Sequence, residues 1–155
     1  MANLKDSGSM REFDTGAHRD GAEGKGRCDL IPLREAADLI GDDVIASIAG
    51  FMEDHDERNL LIAMRNAILP GTVYKDVADF LLEASYQYED GAKKYGENNW
   101  KKGLPLDVYI DSAVRHYLKH MRGDTDEPHH RAFAWNMLCA LWTVRNENKK
   151  NTQQQ

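Results

Sequence analysis

The sequence predicts an all-α helical bundle, and three observations carry that prediction. Apolar residues recur at the three-to-four spacing of a buried helix face in segment after segment. Breakers at Gly41, Pro70-Gly71, Gly96 and Gly123 divide those segments. Nowhere does a useful length of strand-like alternation appear. A chain of 155 residues suits one domain, which we divide into an irregular N-terminal arm or lid (1–32), an all-α domain (33–146) and a disordered polar tail (147–155).

The arm, containing FDTGAHRDGAEGKGRCDLIP, is rich in Gly, Asp and Arg and has no helical period. It reads either as a flexible extension or as a lid whose backbone N–H groups and basic side chains (Arg19, Lys25, Arg27) reach a phosphate chain. Helix begins at Pro32, a good first-turn residue, with Leu33, Ala36, Ala37 and Ile40 on one face before Gly41. Asp42 or Asp43 caps a second helix bearing Val44, Ile45, Ile48, Phe51 and Met52. Leu60, Leu61, Met64 and Ile68 mark a third, stopped by Pro70-Gly71, with Thr72 as the next cap. The helix over 73–95 has the clearest period: Val73, Val77, Phe80, Leu81, Ala84, Tyr88, Ala92 and Tyr95. After the loop YGENNWKKGLP, Pro105 restarts helix over about 106–121, with Ile110, Ala113, Val114, Tyr117, Leu118 and Met121 inward. The acidic loop DTDEP then leads into a last helix over about 128–146.

The net charge of −6 argues against a general electrostatic grip on DNA or RNA, which needs a basic face. No apolar run approaches the roughly 18 residues that span a membrane. The two cysteines, Cys28 and Cys139, stand far apart, and a reduced cytoplasmic compartment is the simplest expectation. Neither a nucleic-acid nor a membrane partner is expected.

Three constellations could carry chemistry. Asp79 and Glu83 on one helix, and Asp107 and Asp111 on the next, are each four apart and so point the same way. Two antiparallel helices could aim all four at one spot, an all-oxygen cage suited to Mg²⁺ or Mn²⁺. They could equally be solvated charges on the flanks. The loop KKYGENNWKKG sets Lys93 and Lys94 beside Asn99 and Trp100, combining phosphate-pairing charge, amide donors and an aromatic face. Arg115 could clamp a phosphate with its planar fork, next to His116 and the pair His129-His130. Spacing puts His130 on the apolar side of the last helix and Asn136 away from it, so a core histidine and a surface amide remain open readings. A competing metal reading is the order His18, His55, Asp56, Asp111, which mimics the HD phosphohydrolase signature.

On these residues the chain resembles the phage dATP/dGTP diphosphohydrolase family, the MazZ-like branch of the MazG-type all-α NTP pyrophosphohydrolases. The blocks that carry it are FDTGAHRDGAEGKGRCDLIP, GAKKYGENNWKKG and YIDSAVRHYLKHMRGDTDEPHHRAFAWN. The resemblance implies Mg²⁺- or Mn²⁺-assisted hydrolysis of a purine deoxynucleoside triphosphate to the monophosphate and pyrophosphate. It also implies a part in phage 2-aminoadenine DNA synthesis, and a homo-oligomer with sites near the subunit contact. The wider group's ExxE…ExxD arrangement is not reproduced literally; the nearest equivalent is Asp79/Glu83 with Asp107/Asp111. Glu83 and Asp111 are then the expected catalytic metal ligands. Arg19, Lys25, Arg27, Lys93, Lys94, Asn99, Trp100, Arg115, His116, His130 and Asn136 are the expected substrate contacts. An HD-type triphosphohydrolase and a non-catalytic nucleotide-binding or host-inhibiting phage protein are the alternatives.

Overall fold

The computed structural model describes residues 8–69 and 71–154. Six helices carry the chain: α1 Leu33–Ile40, α2 Asp43–Asp54, α3 Glu57–Ile68, α4 Val77–Tyr95, α5 Leu106–Arg122 and α6 His129–Gln153. The all-α expectation holds. Among the described residues the only strands are β1 Met10–Glu12 and β2 His18–Asp20, an antiparallel hairpin with Arg11 opposite Arg19.

The helix starts follow local chemistry. Asp42, Asp56 and Asp76 each accept a backbone N–H of the first turn, from Ile45, Arg58 and Asp79. Thr72 is therefore not the cap of α4, which begins at Val77 rather than at 73. Its hydroxyl instead donates to the carbonyls of Ala67 and Leu69, finishing α3. The stop expected at Pro70 lies outside the described residues.

α6 is the central helix, packed against α3, α4 and α5. Its buried residues His129, Phe133, Asn136, Met137, Ala140 and Val144 are joined by Ala132, Ala134 and Cys139, so burial runs over most of its circumference up to Val144. α1, α2 and α3 form a second layer built on Ile45, Ile48, Phe51 and Leu60, all almost fully buried. Gly50 lets α2 and α3 approach closely: a Cβ there would lie 3.1 Å from the Asn59 side chain. No helix among the described residues is long and apolar enough to cross a membrane.

Two expectations about the ends of the chain are corrected. The tail expected to be disordered over 147–155 is helical as far as Gln153, where α6 ends, and Gln155 lies outside the described residues. That stretch contains no Gly or Pro, and its Glu, Lys and Gln residues favour helix even without a core to cover. The arm is not irregular from Gly8 onward, while residues 1–7 lie outside the described part. Its hairpin docks on the bundle through Asn99, whose amide bonds both the N–H and the carbonyl of His18 at 3.0 Å. Asp20 accepts from the Tyr95 hydroxyl at 2.7 Å, Thr15 donates to the Gly103 carbonyl at 2.8 Å, and Ala17 is fully buried. Gly21 lets the chain pass close to Ser9: a Cβ would fall 2.0 Å from the Ser9 hydroxyl oxygen, which would have to rotate away.

Candidate active site

A cleft of about 420 Å³ opens where the hairpin lies across α4, α5 and α6. Its basic side is made by Arg11, Arg19, Lys25, Arg115 and Lys119; Asp20, Asp126 and Glu127 supply acid. Arg19 is carried by β2 into the bundle, where it donates to the Asn136 side-chain oxygen at 2.7 Å. Its guanidinium carbon lies 5.2 Å from the Trp135 ring centroid, and Nη1 is buried with no hydrogen-bond partner. Burial lowers the Arg19 pKa, yet a guanidinium starts so high that it stays charged at neutral pH. A buried cation with an unused donor is suited to an anion entering the cleft.

Lys25 is also pulled below the ordinary lysine range, first by burial; Asp20 counters this and Arg115 and Arg19 add to it. Arg115 is held in place by Asp111, 2.7 Å away, and Asp111 in turn accepts the Cys28 N–H at 2.6 Å. The carboxylate thus fastens the arm and aims the guanidinium together.

Opposite the cations, α5 and the start of α6 bring two imidazoles together. His116 Nδ1 and His129 Nδ1 are 2.9 Å apart, and Glu127 Oε1 lies 3.7 and 3.6 Å from them. His129 is 1% exposed, and its Nε2 pairs with Asp126 at 2.8 Å. The His116 pKa is pushed well below the usual histidine value, mainly by burial and then by Arg115 and His129. Its imidazole is therefore neutral at pH 7.

The expected site residues divide cleanly. Arg19, Lys25, Asn99, Arg115, His116 and Asn136 line the cleft. Asn136 is buried rather than a surface amide, because it bridges Arg19, Ser112 and the Ala132 carbonyl. Asn99 serves the hairpin backbone rather than standing free to meet a base. Arg27 pairs with Asp29 and Lys93 with Glu89 on the exposed surface, and Lys94 pairs with Asp20. Trp100 packs edge-on against Tyr88 and Trp142 and lines a neighbouring hollow of about 210 Å³.

The four-carboxylate cage does not form within the chain. α6 lies between α4 and α5, since residues 96–105 carry a 3-10 turn, Asn99–Lys102, and span the bundle instead of making a tight reversal. Glu83 accepts from Arg131 at 2.5 Å and pairs with His130 at 2.8 Å, clamping α4 to α6 away from the cleft. His130 is part of that clamp, not of the core or the cleft. Asp79 accepts the Lys75 N–H at 3.0 Å, and Asp107 is exposed. The HD order is likewise not assembled: His55 terminates α2 in a left-handed conformation (φ 55°), and Asp56 caps α3 and pairs with Arg58. Two sets of acids and imidazoles do converge, each with donor atoms within 4.8 Å of one another: Glu127, His116 and His129 beside the cleft, and Asp124, Asp126 and His129 on the more exposed side.

Sequence reasoning named His129 beside His130 without assigning it a role, and left out Glu127, Asp126, Gln87, Tyr95, Lys119 and Trp135 of the cleft wall. A family model described as dATP/dGTP diphosphohydrolase, N-terminal, matches residues 64–153, more than half of the chain and the whole of α4, α5 and α6. No curated protein and no solved structure matches.

Proposed function

The chain belongs to the dATP/dGTP diphosphohydrolase family and is an enzyme of that activity, and from that premise we propose that the cleft under the hairpin is where a purine deoxynucleoside triphosphate is hydrolysed to the monophosphate and pyrophosphate. The observation that carries this reading is the buried Arg19, with a free donor, facing the same cleft as Lys25, Arg115 and the His116–Glu127–His129 cluster. Arg19, Lys25 and Arg115 bind the phosphate chain and offset the charge that collects on departing pyrophosphate. Gln87, almost buried, and Trp135 offer an amide and an aromatic face to the base, beside the space that Gly91 leaves. Water adds to the α-phosphorus, the bond to the bridging oxygen breaks, and a carboxylate of the cleft wall takes the water's proton.

We further propose that the reaction is assisted by Mg²⁺ or Mn²⁺. Glu127, His116 and His129 are the groups that would hold such an ion. Bound there, it would neutralise phosphate charge and lower the pKa of water. A homo-oligomer, a cytoplasmic location and a supply of dGMP to phage 2-aminoadenine DNA synthesis, with removal of dATP, complete the proposal. The resemblance supports these last points, and an apolar outer face on α4 supports the oligomer.

The deciding experiment incubates the purified protein with dGTP or dATP and either ion, and resolves phosphate, pyrophosphate and triphosphate. The monophosphate with pyrophosphate is expected. Triphosphate with a free nucleoside would replace this reading with the HD-type reaction.

A further inference from the structure

We infer that His116, Glu127 and His129 form a mixed nitrogen–oxygen seat for one divalent first-row transition ion, Mn²⁺-like and favoured over Mg²⁺, with Asp126 as the residue that positions His129. The inference deepens the reading of the cleft above by naming the ion's class and its ligands.

The distances come within about 0.2 Å of the donor separations in a coordination polyhedron. Two donors each about 2.1 Å from an ion, at the angles of tetrahedral or octahedral geometry, stand about 3.0–3.5 Å apart. The triad's separations are 2.9, 3.6 and 3.7 Å. The shortest is also that of a hydrogen bond between the imidazoles in the absence of an ion. Asp126 accepts from His129 Nε2 at 2.8 Å, which fixes the hydrogen on Nε2 and leaves the Nδ1 lone pair facing His116 and Glu127. This is the carboxylate–histidine arrangement that orients metal-bound imidazoles. Without an ion, His116 Nδ1–H donates to that lone pair; with one, His116 moves its hydrogen to Nε2 and presents Nδ1. His129 is 1% exposed and starts α6, so the seat is rigid on one side and open to the cleft on the other.

The donor set decides the ion class. Mg²⁺ prefers six oxygens and sheds its waters reluctantly, whereas imidazole nitrogen suits first-row transition ions such as Fe²⁺ and Zn²⁺; Mn²⁺ is the weakest binder of that row and the one with a usable paramagnetic signal. The all-oxygen cage that Mg²⁺ would favour is absent among the described residues.

The test titrates Mn²⁺ into the full-length protein without nucleotide, following free ion by electron paramagnetic resonance, with Mg²⁺ as competitor. One Mn²⁺ per chain is expected, with at least tenfold weaker Mg²⁺ binding and ¹⁴N couplings from two imidazoles in the pulsed spectrum. Glu127→Gln and His116→Gln should weaken binding by tenfold or more, and Asp126→Asn by about tenfold or more, with circular dichroism unchanged. Because His116 is buried, Glu127→Gln, a near-isosteric change, keeps the test decisive where the histidine variant fails to fold. Binding without ¹⁴N coupling, or unaltered in Glu127→Gln, overturns the inference, as does absence of binding. Metal binding as described in a protein that does not cleave dGTP or dATP would sink the proposed reaction and leave the seat standing. Pyrophosphate release with no metal at this triad would do the reverse.

Discussion

Arg19 is the residue on which the site turns. Its guanidinium lies over the Trp135 and Tyr109 rings, one nitrogen binds Asn136, and another has no partner. Arg19→Met keeps the apolar packing and removes the charge, so the melting temperature should change little while kcat/KM falls about 100-fold, or about 2.7 kcal/mol of transition-state stabilisation. Arg19→Lys should not rescue it, because an ammonium lacks the planar fork that serves Asn136 and a phosphate together. Steady-state kinetics on both variants checks this. A second residue tunes room rather than charge. Gly91 lines both hollows, and a Cβ there meets nothing within 4 Å. Gly91→Ala should stabilise α4 by about 0.5–1 kcal/mol, whereas Gly91→Leu should raise KM severalfold at similar stability. An unchanged KM in the leucine variant would place the base elsewhere. At this scale the sequence was half legible. Arg19 and Lys25 stood out as basic residues in a glycine-rich arm, and Arg115 with His116 as a planar fork beside an imidazole. Spacing ranks His130 above His129, whereas the fold places His129 in the cluster and His130 in the Glu83 clamp, since a turn of about 100° separates an inward from an outward side chain and the phase of α6 is set by tertiary packing. The acid-rich loop immediately before His129 was the usable signal.

Among the elements, the helices were legible because their apolar faces and stop signals are local properties, while the neighbours of each helix were not. The carboxylate cage assumed that consecutive helices α4 and α5 pair. Burial around most of α6 puts that helix between them, a consequence of its Ala132, Ala134 and Ala140 surfaces that a one-dimensional period does not rank. The hairpin escaped notice because three-residue strands are too short for alternation to register. Glu83, displaced from its expected role, becomes a clamp between α4 and α6 with its own pH signature. Burial raises its pKa, but the Arg131 and His130 hydrogen bonds outweigh that and leave it below the ordinary glutamate value. A carboxyl with a depressed folded pKa stabilises the fold above its unfolded pKa, about 4.3, and loses that contribution as pH falls through the folded value. Glu83→Gln should therefore melt at lower temperature than the parent at pH 7, with the gap closing below about pH 4.5. A gap that stays constant from pH 7 to pH 3 would show that the ion pair contributes nothing, as many exposed pairs do.

On the scale of the whole molecule, the outer face of α4 is an apolar surface that the single chain leaves uncovered. Phe80, Ala84 and Gln87 point into the bundle, while Val77, Leu81, Leu82 and Tyr86 are 58, 52, 61 and 46% exposed on the other side. Ala78 and Ser85, also exposed, fill the space between them with small side chains that would let another helix approach. Four large apolar residues on one helix exceed the scattered exposure usual on a monomer. A second copy of the same face satisfies them with no change of fold, since a two-fold contact lets each residue meet its symmetric counterpart's surroundings. Light scattering behind size exclusion should accordingly report a mass of at least two chains of 17.6 kDa. Leu81→Glu with Leu82→Glu should reduce it to one, because the two-fold contact would then bring together like charges without partners. The double variant should retain its helical circular dichroism, as neither position contributes to the core. Loss of turnover together with the dimer would make the assembly part of the working enzyme, and a parent protein that is monomeric at tens of micromolar would refute the interface.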